Sequence, residues 1–229
     1  MEFGLSTNSN DGASVVYFHS SEKMDECEAK SAKLVMGPSV FLGNGVPWHP
    51  AYEKLYQTVY NRNLPRIVRD DGVFIVVQTN QYSEGKFICR YKHILDLLLG
   101  GRAPKWELMD EKVWERKSAD HFQVPFSHVL IFRPSGGSAK RRDLKGNQWF
   151  QGVWKHKQTK GSDKAGYPEG LCNMLVEACT EKGDLIVDPF SGSSQLLASA
   201  QRLGRRGIGY EIDEAMRPLI EAKGVKFVE

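Results

Sequence analysis

Short runs of consecutive apolar residues alternate along the chain with stretches whose apolar positions recur every three or four residues. The runs Val15-Val16-Tyr17-Phe18, Leu34-Val35-Met36, Val73-Phe74-Ile75-Val76-Val77, Val129-Leu130-Ile131-Phe132, Leu185-Ile186-Val187 and Gly207-Ile208-Gly209-Tyr210 have the length of strands. They are continuous rather than alternating, which suits strands buried on both faces. Between them, Tyr52, Leu55, Tyr56, Val59 and Tyr60 fall at i, i+3, i+4, i+7 and i+8, and Leu171, Met174, Leu175 and Ala178 repeat that spacing. Both stretches predict amphipathic helices. Two more helices are expected over Ile88 to Leu99, closed by Gly100-Gly101, and over Leu196 to Leu203, closed by Gly204. Strands alternating with helices predict an α/β fold, a mostly parallel twisted sheet with helices on both faces.

Composition narrows the class. The chain has 229 residues, 41% hydrophobic and 26% charged, which is ordinary for one globular domain. No run of 18 apolar residues occurs, and the start MEFGLSTNSNDGAS is polar without an apolar core, so the expectation is a cytoplasmic or nucleoid-associated protein with no membrane contact and no secretion. Cys27, Cys89, Cys172 and Cys179 form no CxxC pair, and the six histidines lack zinc-ligand spacing, so no disulfide framework and no metal site are expected.

Net charge is only +3, but it is unevenly placed. Over 134–164, Lys140, Arg141, Arg142, Lys145, Lys155, Lys157, Lys160 and Lys164 stand against Asp143 and Asp163, a local balance of +6 that leaves −3 for the rest. With Trp149, Phe150 and Trp154 interspersed, this segment has cations for phosphates and rings for bases. A solvated surface loop anchored by its aromatics would have the same composition. The candidate DNA-binding residues are Lys140, Arg141, Arg142, Lys145, Trp149, Lys155 and Lys157.

The densest chemistry lies in Asp184-Leu-Ile-Val-Asp-Pro-Phe-Ser-Gly-Ser-Ser-Gln, continuing to Gly207-Ile-Gly-Tyr-Glu211-Ile-Asp. This reads as strand, tight turn, helix and strand, with an acid at the end of the second strand. Gly192 lets the backbone approach a ligand, and Glu211 follows Asp188 by 23 residues, near the offset of about 20 at which an acid meets ribose hydroxyls. Neither GxGxxG nor GxxxxGK[ST] occurs, so the cofactor expected is a nucleoside without a pyrophosphate. The alternative is that Asp188 only caps the following helix.

The run DPFSGSSQLLASAQRLGRRGIGYEID resembles the S-adenosylmethionine-binding region of the amino-methylating DNA methyltransferases, usually DPFxGSGTT followed by a helix and LGRRxIGxEID. Its position near the C-terminus is similar to the circularly permuted class, in which the catalytic region precedes the cofactor region. Val15 to Ser21, Ala32 to Val40, the stretch from Arg66 to Val77, Glu111 to Lys117, Ser127 to Arg133 and Gly166 to Leu175 resemble the remaining frame, nearly the whole chain. The resemblance implies a Rossmann-like methyltransferase domain over 1–229, with a catalytic half at 14–133, a target-recognition-like insert at 134–164 and a cofactor half at 165–229. It implies S-adenosyl-L-methionine held by Asp188, Pro189, Phe190, Ser191, Gly192, Ser193, Ser194 and Glu211.

The sequence departs from the family where the chemistry lies. The family's catalytic loop is Asp, Asn or Ser, then Pro-Pro and an aromatic, which hold the target amine and stack on the flipped base. Here the loop is Gly37, Pro38, Ser39 and Val40, leaving backbone carbonyls, the Ser39 hydroxyl and the nearby rings of Phe41 and Trp48. Ser194 and Gln195 replace a glycine and a threonine of the cofactor turn, and His19-Ser20-Ser21-Glu22 replaces the usual Gly-Asp that meets the adenine amine, a role left to Ser21 or Glu22. The implied activity is methylation of an exocyclic amine of adenine or cytosine, or of a modified base, in double-stranded DNA. A catalytically inactive DNA-binding or partner subunit is the alternative, and a homodimer or heteromeric partner stays open.

Overall fold

The computed structural model describes residues 13–38, 50–83, 85–116, 124–157 and 166–228. One mixed sheet runs through them. Its strands are β1 (Ser14–Tyr17), β2 (Ala32–Pro38), β3 (Val68–Gln78), β6 (Trp106–Glu115), β7 (Phe126–Pro134), β8 (Val153–Trp154), β9 (Leu185–Asp188), β10 (Arg206–Tyr210) and β11 (Lys226–Val228), and a separate hairpin is formed by β4 (Gln81–Ser83) and β5 (Lys86–Ile88). The sheet order is β11-β1-β10-β9-β2-β3-β7-β6-β8. Every pairing is parallel except those of β7 with β3 and with β6. Two strands from the last quarter of the chain, β9 and β10, thus lie between β1 and β2.

All six apolar runs are strands, and they read as continuous because successive side chains enter opposite cores. On β3, Phe74 and Val76 join Tyr56, Val59, Tyr60, Leu64, Ile94 and Leu98 on one face, while Val73, Ile75 and Val77 join Leu171, Leu175, Val176 and Leu196 on the other. The first face is covered by α1 (Pro50–Tyr56), a π-helical segment (Gln57–Asn63), α2 (Leu64–Ile67) and α3 (Arg90–Leu99); the second by α4 (Glu169–Cys179) and α5 (Gln195–Arg202). The fold is the α/β architecture expected, with helices on both faces. The helix expected from Ile88 begins instead at Arg90, because Lys86–Ile88 pairs with Gln81–Ser83 and the buried Asn80 side chain accepts the Tyr91 N–H at 3.0 Å. Among the described residues no helix is long and apolar enough to cross a membrane.

Candidate active site

The chain leaves β9 through α5 toward β10 and leaves β2 through α1 toward β3, in opposite directions across the sheet. Between β9 and β2 the strand order therefore switches, and a crevice opens at their carboxyl ends, where ligands of open α/β sheets bind. Asp188 ends β9 and Gly37-Pro38 end β2, so the two regions singled out in the sequence meet at one crevice. Ser39, Val40, Phe41 and Trp48 lie outside the described residues.

The turn after β9 is tied down by its own backbone. Ser191 N–H donates to the Tyr210 carbonyl at 2.9 Å, and Ser194 N–H to that of Ser191 at 2.7 Å. Gly192 has φ +50, and Ser194 takes a left-handed conformation, φ +59, that L residues adopt at a cost. Open space surrounds the Gly192 Cα, and the hydroxyls of Ser191 and Ser194 are buried with no hydrogen-bond partner among the described residues. A turn with an open glycine and unmet hydroxyls fits a polar ligand.

Glu211 stands beside it at the end of β10. Its Oε2 accepts the Gly192 N–H at 2.7 Å, and its Oε1 accepts those of Ile212 and Asp213, both at 2.8 Å. A carboxylate offers about four acceptor positions, so with three filled Glu211 retains one for a ligand hydroxyl. Asp188 is buried, and burial drives its carboxyl up to about 7; the Phe190 N–H, donating to Oδ1 at 3.2 Å, opposes this and the Glu211 charge adds to it.

The floor of the crevice is aromatic, which helical periodicity did not distinguish from ordinary core. In the π-helical segment Tyr60 stacks on Tyr56 at 5.1 Å and meets Phe190 edge-on at 6.0 Å. A Cβ built on Gly37 would lie 2.7 Å from the Tyr60 hydroxyl and 3.4 Å from Pro189 Cγ. The phenol thus fills the space that a loop side chain at position 37 would enter, so glycine there is matched to Tyr60. Tyr167, ahead of α4, has a buried hydroxyl without a partner among the described residues, and burial and the nearby Asp188 raise the pKa of both phenols. Arg116 lies near Tyr167 and donates to Thr79 Oγ1 at 3.2 Å. The π turn that aims Tyr60 has no signature in hydrophobic spacing, and such turns cluster at functional sites.

At the end of β1, the two residues expected to meet the adenine amine differ, Glu22 being exposed. Ser21 is buried, Ser20 Oγ donates to the Glu22 carboxylate at 3.4 Å, and Asn63 donates to the carbonyls of both 21 and 22. From the loop after β1, Glu26 accepts from the Tyr210 hydroxyl at 3.1 Å and pairs with His19 Nε2 at 2.8 Å.

The basic segment divides between the two ends of the sheet. Ser138 N–H donates to the Asp70 carbonyl near the start of β3, and Lys145 N–H to that of Ala178 at the end of α4, so Lys140 to Lys145 lie toward the amino ends of the strands, away from the crevice. Two of their cations are matched: Arg141 donates to Asp110 at 2.6 Å and Lys145 pairs with Glu181. Trp149 is wholly buried against Trp154, ring centroids 5.4 Å apart, which corrects its expected place at a DNA surface; Phe150 is the exposed ring. Lys155 to Lys157 follow β8, which runs parallel to β6 and ends with it at the crevice side, where Lys155 pairs with Glu115 at 3.3 Å and Lys157 stays exposed.

A family model described as DNA methylase, covering the N6- and N4-amino methyltransferases, matches residues 49–222. The chain belongs to this DNA methylase family. Among curated relatives, the type II methyltransferase M.MjaI of Methanocaldococcus jannaschii is 36% identical over 87 residues, 35% of this chain and 29% of that protein. M2.DpnII of Streptococcus pneumoniae is 37% identical over 108 residues, 44% of this chain and 37% of that protein. The chain thus spans about a third of the length of the curated relatives it matches. Among solved structures, TTHA0409 of Thermus thermophilus, complexed with S-adenosyl-L-methionine, superposes with TM-score 0.76 at 18% identity over 95% of this chain and 100% of that one. The cytosine-N4-specific PvuII DNA methyltransferase gives 0.76 at 14% over 93% and 87%. At these identities the structures establish the shared methyltransferase fold.

Proposed function

We propose that this DNA methylase family member takes S-adenosyl-L-methionine at the turn Asp188 to Ser194 and transfers its methyl group to an exocyclic amine of adenine or cytosine, or of a modified base, in double-stranded DNA. The observation that carries the reading is the meeting, at one sheet crevice, of the glycine turn with its acid Glu211 and the strand end Gly37-Pro38. The cofactor supplies an electrophilic methyl on a sulfonium, so the protein's task is positioning rather than covalent catalysis. Glu211 would accept one ribose hydroxyl at its remaining acceptor position, and the Ser191 and Ser194 hydroxyls would gain the partners they lack. The amine would donate to backbone carbonyls of Gly37 and Pro38 and to the Ser39 hydroxyl, acceptors weaker than a carboxylate, so turnover should be slow. The Gly37 and Pro38 carbonyls would hold the amine toward the methyl group that the cofactor would supply, and the proton the amine gives up would pass to solvent. The chain is read as one unit, with the cofactor half at 165–229 closing on the catalytic half at 14–133.

The test is transfer of tritiated methyl to unmethylated double-stranded DNA, wild type beside Glu211→Ala, with titration calorimetry of the cofactor. Binding and transfer by wild type, both weakened in the variant, support the reading. No heat at millimolar cofactor would overturn it.

A further inference from the structure

Past the carboxyl end of β3 the chain forms the β4–β5 hairpin before α3 carries it back along the sheet. Pro38 at the crevice pairs with Val77, one residue before the end of β3, so the hairpin rises one strand away from the proposed reaction centre. Tyr82 and Phe87 are directly paired across it, with ring centroids 5.2 Å apart, and each is 52% exposed. Gln81 and Ile88, on the opposite face, are half-buried. The hairpin is braced from below: buried Asn80 accepts the Tyr91 N–H, the Tyr91 ring packs tilted against His128 at 4.1 Å, and His128 pairs with Glu111 at 2.8 Å. Two bare rings on a braced base beside the crevice do not serve the core.

We infer that this hairpin is a DNA-contacting element whose Tyr82–Phe87 pair stacks on bases beside the extruded nucleotide. The inference rests on the methyltransferase reading and names a second surface for its substrate. Extruding a base leaves its neighbours unstacked, and aromatic faces replace the lost stacking without regard to sequence. Exposed Lys86, next to Phe87, makes no ion pair among the described residues and can meet a phosphate. The other charged surface expected to meet DNA, Lys140 to Lys145, lies toward the opposite end of the strands with Arg141 and Lys145 matched by acids. Duplex DNA lying over the crevice would therefore meet the hairpin and not that segment.

The experiment compares the full chain with the double variant Tyr82→Ala/Phe87→Ala and with Lys86→Ala. Fluorescence anisotropy on a labelled mixed-sequence duplex is read across a salt series, beside cofactor calorimetry, thermal melting and sedimentation. The double variant should lose at least about tenfold in DNA affinity. Its salt slope, melting and cofactor binding should stay unchanged. Lys86→Ala should make the slope shallower by about one phosphate contact, roughly 0.9 units. Wild-type DNA affinity in the double variant would overturn the inference. So would a change of sedimentation mass with unchanged DNA binding, which would assign the rings to a second copy of the chain. Absence of methyl transfer by wild type would defeat the methyltransferase reading, while the affinity ratio would still report on the hairpin.

Discussion

Gly37→Ala tests whether Tyr60 really owns the space beneath the catalytic strand. The added Cβ would lie 2.7 Å from the Tyr60 hydroxyl and 3.3 Å from its Cζ. The ring cannot easily yield, being fully buried, stacked on Tyr56 and packed on Phe74 at 4.9 Å, with its own carbonyl accepting the Trp106 indole N–H at 2.8 Å. Overpacking of this kind costs about 1–3 kcal/mol, and so close an approach to a pinned atom suggests about 2. With Tyr60→Phe the 2.7 Å contact disappears and 3.3 Å becomes the closest, so the same alanine should cost below about 1 kcal/mol. The double-mutant cycle should thus show a coupling of about 1 kcal/mol or more. At roughly 2–4 °C per kcal/mol for a chain of this size, Gly37→Ala alone should lower Tm by about 4–8 °C. Urea midpoints and melts on the four proteins measure it, and additivity within about 0.5 kcal/mol would refute the argument. The same geometry governs any attempt to restore the family loop. Gly37→Asp would meet the same hydroxyl and add a charge beside Asp188, so restoration requires Tyr60→Phe.

Ser194→Gly should stabilise the protein by about 1 kcal/mol, because it relieves a left-handed residue and removes a buried hydroxyl without a partner among the described residues; a lower Tm would contradict this. Folding raises the Asp188 pKa from 3.8 to about 7, so the native chain holds a proton that the unfolded chain has lost. That contribution to stability is full below about pH 4, falls as pH rises toward 7 and is then level. The slope of urea midpoint against pH over this window should flatten in Asp188→Asn, and equal slopes would dismiss the assignment. Glu211→Gln can still accept the Ile212 and Asp213 N–H groups through its carbonyl oxygen, but it loses the charge that faces Gly192, so calorimetry should show cofactor affinity down by about tenfold, roughly one charge-assisted hydrogen bond. For DNA, Arg141→Ala/Lys145→Ala should leave the salt slope of binding nearly unchanged, whereas Lys155→Ala/Lys157→Ala should make it shallower by up to about 1.8 units; the reverse result would place the DNA on the other edge.

Six central strands, most of the helices and the cofactor turn are legible in the chain alone, because each depends on residues close together in it. Val73 to Val77 is legible as a two-sided strand since burial on both faces removes the polar alternation. Asp188, Gly192 and Glu211 are legible because a turn and an acid one crossover later form a local unit. Even the oddity of Gly37 is visible as a missing side chain. What the sequence could not convey is which distant residue fills that vacancy. Tyr60 looks like any apolar stripe position, and only the π turn and the pairing of β2 with β3 bring its hydroxyl under Gly37. Charge shows the same division. Lys140, Arg141 and Lys145 form a basic run in one dimension, but the acids that match Arg141 and Lys145, Asp110 and Glu181, come from 31 and 36 residues away, so their neutralisation is a property of the fold alone. Trp149 and Tyr82 are both aromatic residues in polar surroundings, yet one is sealed in the core and the other bare at the crevice, because burial depends on which strands the chain lays beside them.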